Sequence, residues 1–342
     1  MPTQTDSLFQ KAVDAGASDV HIAVGSPVQF RIDGILVPQS KADVTKDDAE
    51  KLVESVAGAA GYKRFTETME LDCSYQLAGG ERLRINCAME RGNPTLVARL
   101  IPPQIPTLEA LDLVDLGNRF MNMESGLVLF TGPTGSGKST SLAAIIHQLN
   151  QTKPLNTITV EDPIEFIFPK GQGIVRQRQY GEDFTSFPEA LKHILRQDPD
   201  VVMVGEMRDP ETIAAALTLA ETGHLTFATL HTPNAVQTID RIIDVFAPHQ
   251  QAQVRAQLSL SLRAVVAQRL LPKEGGGRTA QREVLINTPA CANIIRENRL
   301  QELKSVLQTN ADEGMVSFEK DLKRLLNDGA ISKGTYEMYE GL

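Results

Sequence analysis

The feature that most constrains the fold is the stretch Leu127–Thr140, which reads LVLFTGPTGSGKST. Its Gly132–Ser139 part matches the pattern G-x-x-x-x-G-K-[ST] of a phosphate-binding loop. Glycines let successive backbone N–H groups curl around a phosphate, and the helix that follows points its positive N-terminal end at the same anion. An apolar run precedes the loop, and SLAAIIHQL follows it with apolar residues at helical spacing. The stretch therefore predicts a strand, a loop that binds a nucleoside triphosphate, and a helix.

Two side chains of this loop carry the chemistry that phosphates require. Lys138 supplies a point charge for the β- and γ-phosphates, and Ser139 offers its hydroxyl to Mg²⁺. We therefore expect ATP and Mg²⁺ as cofactors. The predicted nucleotide-binding residues are Gly132, Pro133, Thr134, Gly135, Ser136, Gly137, Lys138, Ser139 and Thr140.

Acidic residues follow two later strand-like runs, at the strand ends where ligands of an open parallel sheet lie. Glu161, Asp162 and Glu165 follow the first run and can orient Mg²⁺ or the attacking water, although a solvated acidic turn would look the same. The second run, DVVMVGE, ends in Glu206 at the position of a Walker B strand, with Gly205 where many ATPases have an aspartate. We predict that Glu206 polarises the hydrolytic water and contacts Mg²⁺, directly or through a water molecule.

Two histidines and two arginines complete the predicted catalytic set. His224 and His231 bracket an apolar strand-like run beside several threonines, which indicates either a sensor of the γ-phosphate or a pair of structural histidines. Arg84 and Arg99 lie in adjacent predicted strands of the N-terminal part. Arginines on surface strands often serve only solubility. An arginine brought in from another domain or subunit is also the common way to neutralise charge on a transferring γ-phosphate.

Length and composition indicate two soluble globular domains. The chain has 342 residues, of which 42% are hydrophobic and 23% are charged. Its apolar runs are too short for a transmembrane helix and its N-terminus lacks the pattern of an export signal, so we expect a cytoplasmic protein. A net charge of −9 gives no general attraction to nucleic acid.

The order of predicted elements gives the domain boundaries. Residues 1–100 alternate short helices and strands, with Asp33-Gly34 as a hairpin turn, and predict an α+β domain with a mostly antiparallel sheet. Residues 101–108 contain three prolines and predict a linker. Strands and helices alternate in residues 109–272, which predicts an α/β domain with a parallel sheet, whereas 273–342 are predicted to be mostly helical.

The chain closely resembles the secretion ATPase superfamily of type II secretion and type IV pili through four segments in a common order: GPTGSGKST, EDPIEF, VGEMRD and TGHLTFATLHT. A narrower resemblance, to the pilus retraction ATPases, is carried by ASDVHIAVGSPVQFRIDG, RLRIN, LIPPQIPTLEAL and SLRAVVAQRLLP. Gly205 before the acidic residue is normal in this superfamily. The retraction box, commonly AIRNLIRE, reads ACANIIRE at Ala290–Glu297 and keeps Asn293, Arg296 and Glu297.

The resemblance implies a PAS-like N-terminal domain joined to a RecA-like ATPase domain in a hexameric ring that drives pilus retraction. It places Walker A on Gly132–Ser139, Walker B on Val201–Glu206, the Asp box on Glu161, Asp162 and Glu165, the His box on His224 and His231, and the phosphate-contacting arginines on Arg84 and Arg99. The expected partners are other copies of the chain and an inner-membrane pilus platform protein. A paralogous retraction ATPase is a further candidate partner, and nucleic acid is not expected. The protein is then expected at the cytoplasmic side of the inner membrane.

Three other functions compete with this one. An ATPase that extends pili or assembles a type II secretion system usually has a longer N-terminal extension and a four-cysteine zinc insertion. Here about 100 residues precede the linker, and Cys73, Cys87 and Cys291 lie 14 and 204 positions apart, outside zinc-knuckle spacing. A nucleic-acid motor is disfavoured by the charge of −9 and by a composition of five tyrosines and no tryptophan. A nucleotide sensor without turnover would require Glu206 to be idle.

Overall fold

The computed structural model of the chain describes residues 4–32, 34–101 and 104–341. The predicted turn residue Asp33 and the linker prolines Pro102 and Pro103 lie outside the described residues. The chain divides into two compact units: Met1–Gln104 with Pro163–Ile167, and Ile105–Asp162 with Phe168–Leu342. In the part of the chain that is described, no helix is long and apolar enough to cross a membrane.

The first unit contains a six-stranded antiparallel sheet in the order β3-β2-β1-β6-β5-β4 and two main helices. Its elements are α1 (Gln4–Asp14), β1 (Asp19–Ile22), β2 (Gln29–Ile32), β3 (Ile35–Pro38), α2 (Lys46–Thr68), β4 (Glu70–Gln76), β5 (Arg82–Glu90) and β6 (Asn93–Ile101). Burial alternates along β5, where Leu83, Ile85 and Cys87 face the core. One face of the sheet is therefore buried and the other carries polar residues.

The sequence predicts a helix that Thr45 caps and that ends near Val56, and helix α2 begins there but continues beyond that end. Thr45 caps it in a capping box with Asp48, which satisfies two backbone N–H groups. The predicted end near Val56 lies just before a kink at Gly58, where the backbone adopts φ 62° and ψ 174°. The kink is possible because glycine tolerates positive φ.

The second unit contains a seven-stranded sheet in the order β13-β12-β7-β11-β10-β8-β9, parallel except for the antiparallel pair of β12 and β13. Its strands are β7 (Gly126–Thr131), β8 (Asn156–Glu161), β9 (Ile174–Gln179), β10 (Val201–Val204), β11 (Leu225–Leu230), β12 (Leu262–Pro272) and β13 (Arg278–Ile286). Its helices are α3 (Val114–Met121), α4 (Lys138–Thr152), α5 (Phe187–Ile194), α6 (Pro210–Glu221), α7 (Ala235–Asp244), α8 (Pro248–Ser261), α9 (Pro289–Arg296), α10 (Leu303–Thr309), α11 (Phe318–Asn327) and α12 (Lys333–Tyr339).

The central strands of this sheet are buried from end to end. Every residue of β7, β10 and β11 is buried, as expected for parallel strands that helices cover on both faces. The predicted α/β class is confirmed. Strands β12 and β13 form a hairpin across the expected boundary at residues 272 and 273, so the first strand of the C-terminal part belongs to the same sheet.

The sequence predicts a lead-in helix at Glu109–Met123, and the structure differs from that prediction. Residues 108–112 form a turn, and α3 begins only at Val114. Asp112 has φ 50°, a conformation that interrupts a right-handed helix. This break could not be predicted from the sequence, because whether an aspartate adopts a positive φ depends on its tertiary surroundings.

Candidate active site

The phosphate-binding loop follows β7 directly and ends in α4, as the sequence predicts. Gly132, Gly135 and Gly137 have φ values of 141°, 78° and 86°, which disfavour any other residue. A Cβ at Gly132 would lie 2.1 Å from the backbone oxygen of Gln268, and one at Gly137 would lie 2.8 Å from the Gln268 Nε2 atom. The loop is therefore a narrow backbone cradle built against strand β12.

The polar groups of this cradle suit an anion. Lys138 Nζ donates hydrogen bonds to the carbonyl oxygens of Gly132, at 2.7 Å, and Pro133, at 3.1 Å, so its charge is held against the loop. Among the described residues, the buried Ser136 Oγ has no hydrogen-bond partner. The exposed Ser139 lies in the first turn of α4, where the helix end favours negative charge. These features fit the phosphates of a nucleotide and a cation that accompanies them.

Glu206 lies just beyond the end of β10 and is held by two basic side chains. Its Oε2 is 2.7 Å from Arg208 Nη2, and its Oε1 is 3.2 Å from His231 Nε2. The side chain is 22% exposed. Burial alone would raise the pKa of Glu206, but the bond from Arg208 and the charge of His231 outweigh it and keep that pKa below its usual value. Glu206 is therefore an ionised hydrogen-bond acceptor at neutral pH.

Gly205 lies where the end of β8 approaches closely. A Cβ at this position would lie 3.0 Å from the Val160 backbone oxygen and 3.1 Å from Glu161 Cα. An aspartate side chain would push the two strand ends apart. Steric crowding therefore explains why this chain lacks the aspartate that many ATPases have before Glu206.

The three carboxylates predicted after β8 occupy different surroundings. Glu161 is buried, and its Oε1 accepts hydrogen bonds from Thr159 Oγ1 at 2.6 Å and Gln177 Nε2 at 3.1 Å. Asp162 Oδ2 lies 3.9 Å from Arg208 Nη1, so Arg208 lies between Asp162 and Glu206. Glu165 lies in Pro163–Ile167, the five residues that group with the first unit.

Strand β11 places its two flanking histidines at opposite edges of the sheet. His231 follows the carboxyl end of β11, beside Glu206. His224 precedes the strand, and its Nδ1 lies 3.0 Å from the Leu219 carbonyl oxygen and 3.1 Å from Thr222 Oγ1. Six strand residues at about 3.3 Å each separate the pair by roughly 20 Å. The strand therefore carries His224 away from the loop of its own chain, and a γ-phosphate sensor made by both histidines stays a prediction for the assembled motor.

In the first unit, Arg84 and Arg99 are direct cross-strand neighbours on β5 and β6, as their strand positions predict. Like charges in such positions repel each other, and Asp19 relieves this by accepting a hydrogen bond from Arg99 Nε at 2.8 Å. Burial would raise the pKa of Asp19, but its bonds with Arg99 and Ser18 keep that pKa below its usual value. Arg31 lies opposite Asp19 on the other side, so three arginines share one row across the sheet.

Three residues that the sequence reasoning missed shape these sites. Arg208 follows Glu206 by two positions and could have been found from its place in GEMRD. Asp19 and Gln268 had no such signal, because their roles depend on strand pairing between distant segments.

The parallel strands explain how the site is assembled. The loop after β7, Glu161 at the end of β8, Glu206 after β10 and His231 after β11 all lie at the carboxyl edge of one sheet. Ligands of such sheets bind at this edge. In the described residues, no cluster of three or more His, Cys, Asp or Glu side chains could hold a metal ion.

Comparison with known proteins identifies relatives along nearly the whole chain. The family model described as "Type II/IV secretion system protein" matches residues 2–328. The type IV pilus retraction ATPase PilT of Pseudomonas aeruginosa is 43% identical over 318 residues, which are 93% of this chain and 92% of that protein. A twitching motility protein of Neisseria gonorrhoeae is 41% identical over 94% of this chain and 86% of that protein.

A solved structure shows the same fold. The crystal structure of the pilus retraction motor PilT with bound ADP superimposes with a TM-score of 0.91 at 41% identity, covering 98% of this chain and 97% of that one. The chain therefore belongs to the type II/IV secretion system protein family.

Proposed function

We propose that the chain is the subunit of a homohexameric ATPase motor that hydrolyses ATP to drive type IV pilus retraction, and with it twitching motility. The observation that carries this proposal is the shared sheet edge, where the phosphate cradle and the Glu206–Arg208–His231 cluster lie together. The similarity to a pilus retraction ATPase over nine-tenths of both chains supports retraction of the pilus, as opposed to its extension.

Binding of ATP is assigned to Gly132–Thr140. The loop amides and the end of α4 hold the phosphates, and Lys138 exchanges its bonds to the loop carbonyls for bonds to phosphate oxygens. Ser139, with Glu206 directly or through water, would hold Mg²⁺, which neutralises charge on the phosphates. Glu161, Asp162 and Glu165 remain the predicted acidic group that orients the metal and the water.

Hydrolysis is assigned to Glu206. As an ionised acceptor it orients a water molecule, whose oxygen bonds to the γ-phosphorus while the bond from that phosphorus to the β–γ bridging oxygen breaks. The products are ADP and inorganic phosphate, and the water's proton leaves through Glu206. His231 contacts the Glu206 carboxylate and reports whether the γ-phosphate is present. Arg84 and Arg99 supply positive charge to the phosphates in the assembled motor.

The remaining parts of the proposal concern assembly. Residues 1–100 act as a PAS-like domain and 101–108 as the linker, with 109–272 as the RecA-like core and 273–342 as the C-terminal part. The hexamer works with an inner-membrane pilus platform protein, from the cytoplasmic side of that membrane. A paralogous retraction ATPase is a further proposed partner.

Deletion of the gene in its source organism tests the direction of the motor. We expect cells that retain surface pili and lose twitching, restored by the wild-type gene and not by a Glu206→Gln variant. Cells without pili would instead indicate an extension motor. A purified wild-type chain that hydrolysed no ATP at any protein concentration would contradict the ATPase assignment itself.

A further inference from the structure

Strand β12 runs beside the phosphate-binding loop and contributes a buried amide to it. Gln268 is 2% exposed, and its Nε2 donates a hydrogen bond of 2.6 Å to the backbone oxygen of Ser136, inside the loop. Its Oε1 accepts a hydrogen bond of 3.0 Å from Ser141 Oγ in the first turns of α4. One side chain thus joins the loop, the helix and the neighbouring strand.

Arg282, on the neighbouring strand β13, determines how this amide is oriented. Arg282 Nε donates to Gln268 Oε1 at 3.1 Å, so two donors converge on that oxygen. Because an amide presents its oxygen on one side and its NH₂ group on the other, the Nε2 atom must then face Ser136. Arg282 therefore holds Gln268 in the orientation that the loop requires.

The surroundings of Arg282 show that this arrangement is costly. The residue is 4% exposed, and burial lowers the pKa of its guanidinium to about 10. Its three side-chain hydrogen bonds all go to uncharged oxygens: Gln268 Oε1 and the carbonyl oxygens of Asp112, at 2.9 Å, and Leu111, at 2.8 Å. The charges of Asp321 and Asp112 offset part of the cost of burying this guanidinium. Its rigid fork of donors fixes the three acceptors relative to one another.

We propose that Gln268 is a positioning residue of the phosphate-binding loop, and that Arg282 orients it and joins the loop to the 108–112 turn, which follows the linker in the chain. Gln268 contacts no reacting atom. It keeps the Ser136 carbonyl turned away from the phosphates, so that the loop's N–H groups can face them. This inference rests on the proposed ATP binding and deepens it.

The chain offers a matched control in Gln281. This residue is 0% exposed, and its Nε2 donates to the Phe318 backbone oxygen at 2.6 Å, while its Oε1 accepts from Arg269 Nε at 2.6 Å. It therefore has the same burial and the same two kinds of bond as Gln268, but it bonds no part of the loop. Gln268→Leu and Gln281→Leu should lower the melting temperature by similar amounts.

The test measures binding of a fluorescent ADP analogue and steady-state ATP hydrolysis by the full-length chain. Gln268→Leu should raise the Kd for ADP and the KM for ATP about tenfold, because the buried Ser136 carbonyl loses its partner, whereas kcat at saturating ATP falls less than about threefold. Gln281→Leu should leave Kd and KM within about twofold of wild type.

A second variant, Gln268→Glu, distinguishes a specific loss of ADP binding from a loss of folding. Its carboxylate keeps the acceptor for Arg282 and Ser141 but turns an oxygen toward the Ser136 carbonyl, so it should fold and still weaken ADP binding about tenfold. Binding within twofold of wild type in both Gln268 variants would overturn the proposal, as would an equal loss in Gln281→Leu. If the wild-type chain itself binds ADP, either of these results would overturn only the role of Gln268 and would leave the proposed function standing.

Discussion

At the scale of single residues, Glu206 offers the most direct test of catalysis. Glu206→Gln keeps the shape and one acceptor oxygen, which can still accept from Arg208, but it loses the charge that polarises water. We expect ATP to remain bound while turnover falls by about two orders of magnitude or more. Lys138→Ala is the contrasting variant, since it should weaken binding itself. Wild-type hydrolysis by Glu206→Gln in a phosphate-release assay would remove Glu206 from the mechanism.

Gly205 gives a prediction about stability. Gly205→Ala places a Cβ against the Val160 carbonyl and should lower the free energy of unfolding by about 1–3 kcal/mol, measured by urea denaturation. Gly334→Ala, in α12, is the matched control because a Cβ there has only Ser332 Oγ nearby, at 3.8 Å. That control should be neutral or stabilise by up to about 1 kcal/mol. Equal effects of the two variants would show that the approach of β8 does not require glycine.

The acid dependence of stability should reflect Asp19. Its pKa is lower in the folded chain than in the unfolded chain, so the ionised carboxylate stabilises the fold above the unfolded value. This contribution is lost as the pH falls through the folded pKa, below about pH 4. Asp19→Asn should cost about 1–2 kcal/mol at pH 7, and the difference from wild type should shrink toward pH 3. A difference independent of pH would contradict this assignment.

The sequence predicted residues whose roles follow from local spacing and missed those that depend on distant pairing. Gly132, Lys138 and Ser139 follow from one short motif, because loop and helix are continuous in the chain. Asp19 and Gln268 could not be predicted, since each acts on a partner more than 75 positions away.

At the scale of elements, the ACANIIRE segment has two interpretations. The helical spacing of its apolar residues predicts a helix packed on the ATPase core, whereas the resemblance implies a surface that couples hydrolysis to work on the pilus machinery. Cys291, Ile294 and Ile295 are buried, so one face packs on the core, while Arg296 and Glu297 are exposed. Both interpretations of the sequence therefore describe part of this helix. The exposed Arg296 and Glu297 are therefore accessible for the coupling that the resemblance implies.

This division predicts that hydrolysis and pilus retraction can be uncoupled. The double variant Arg296→Ala and Glu297→Ala should keep most ATP turnover in vitro, because neither side chain is buried, while pili accumulate unretracted on cells. The control is Glu319→Ala with Lys323→Ala, which removes an exposed ion pair of 2.7 Å from α11. Loss of turnover and assembly in the α9 variant alone would assign these residues to the scaffold of the motor.

Strand β11 shows why element-level reasoning can mislead about distance. His224 and His231 flank one short strand in the sequence, which favoured a joint role. A parallel strand exposes its two ends at opposite edges of the sheet, and only the carboxyl edge carries the phosphate cradle. Within one chain, the rule that predicted Glu206 therefore places His231, and not His224, at the edge that carries the cradle.

At the scale of the whole molecule, we expect activity to depend on assembly. Arg84 and Arg99 belong to the first unit, and the proposed motor is a hexamer, so specific activity should rise with protein concentration in parallel with the hexamer fraction seen by sedimentation. Arg84→Ala should lower turnover, and mixing it with Glu206→Gln subunits should restore some activity if the arginine acts in a neighbouring subunit. Specific activity that stays constant while the chain sediments as a monomer would contradict the ring.

The position of β12 has a consequence for synthesis of the protein on the ribosome. Gln268 is translated 132 residues after Ser136, the loop residue that it holds. At about 5–20 residues per second, the loop emerges roughly ten seconds before the strand that completes it. A nascent chain therefore contains the phosphate-binding loop before Gln268 and Arg282, which hold that loop, have been synthesised. Because Gln268 and Arg282 hold the loop, ATP should bind more weakly to a nascent chain that ends before β13 than to the finished chain.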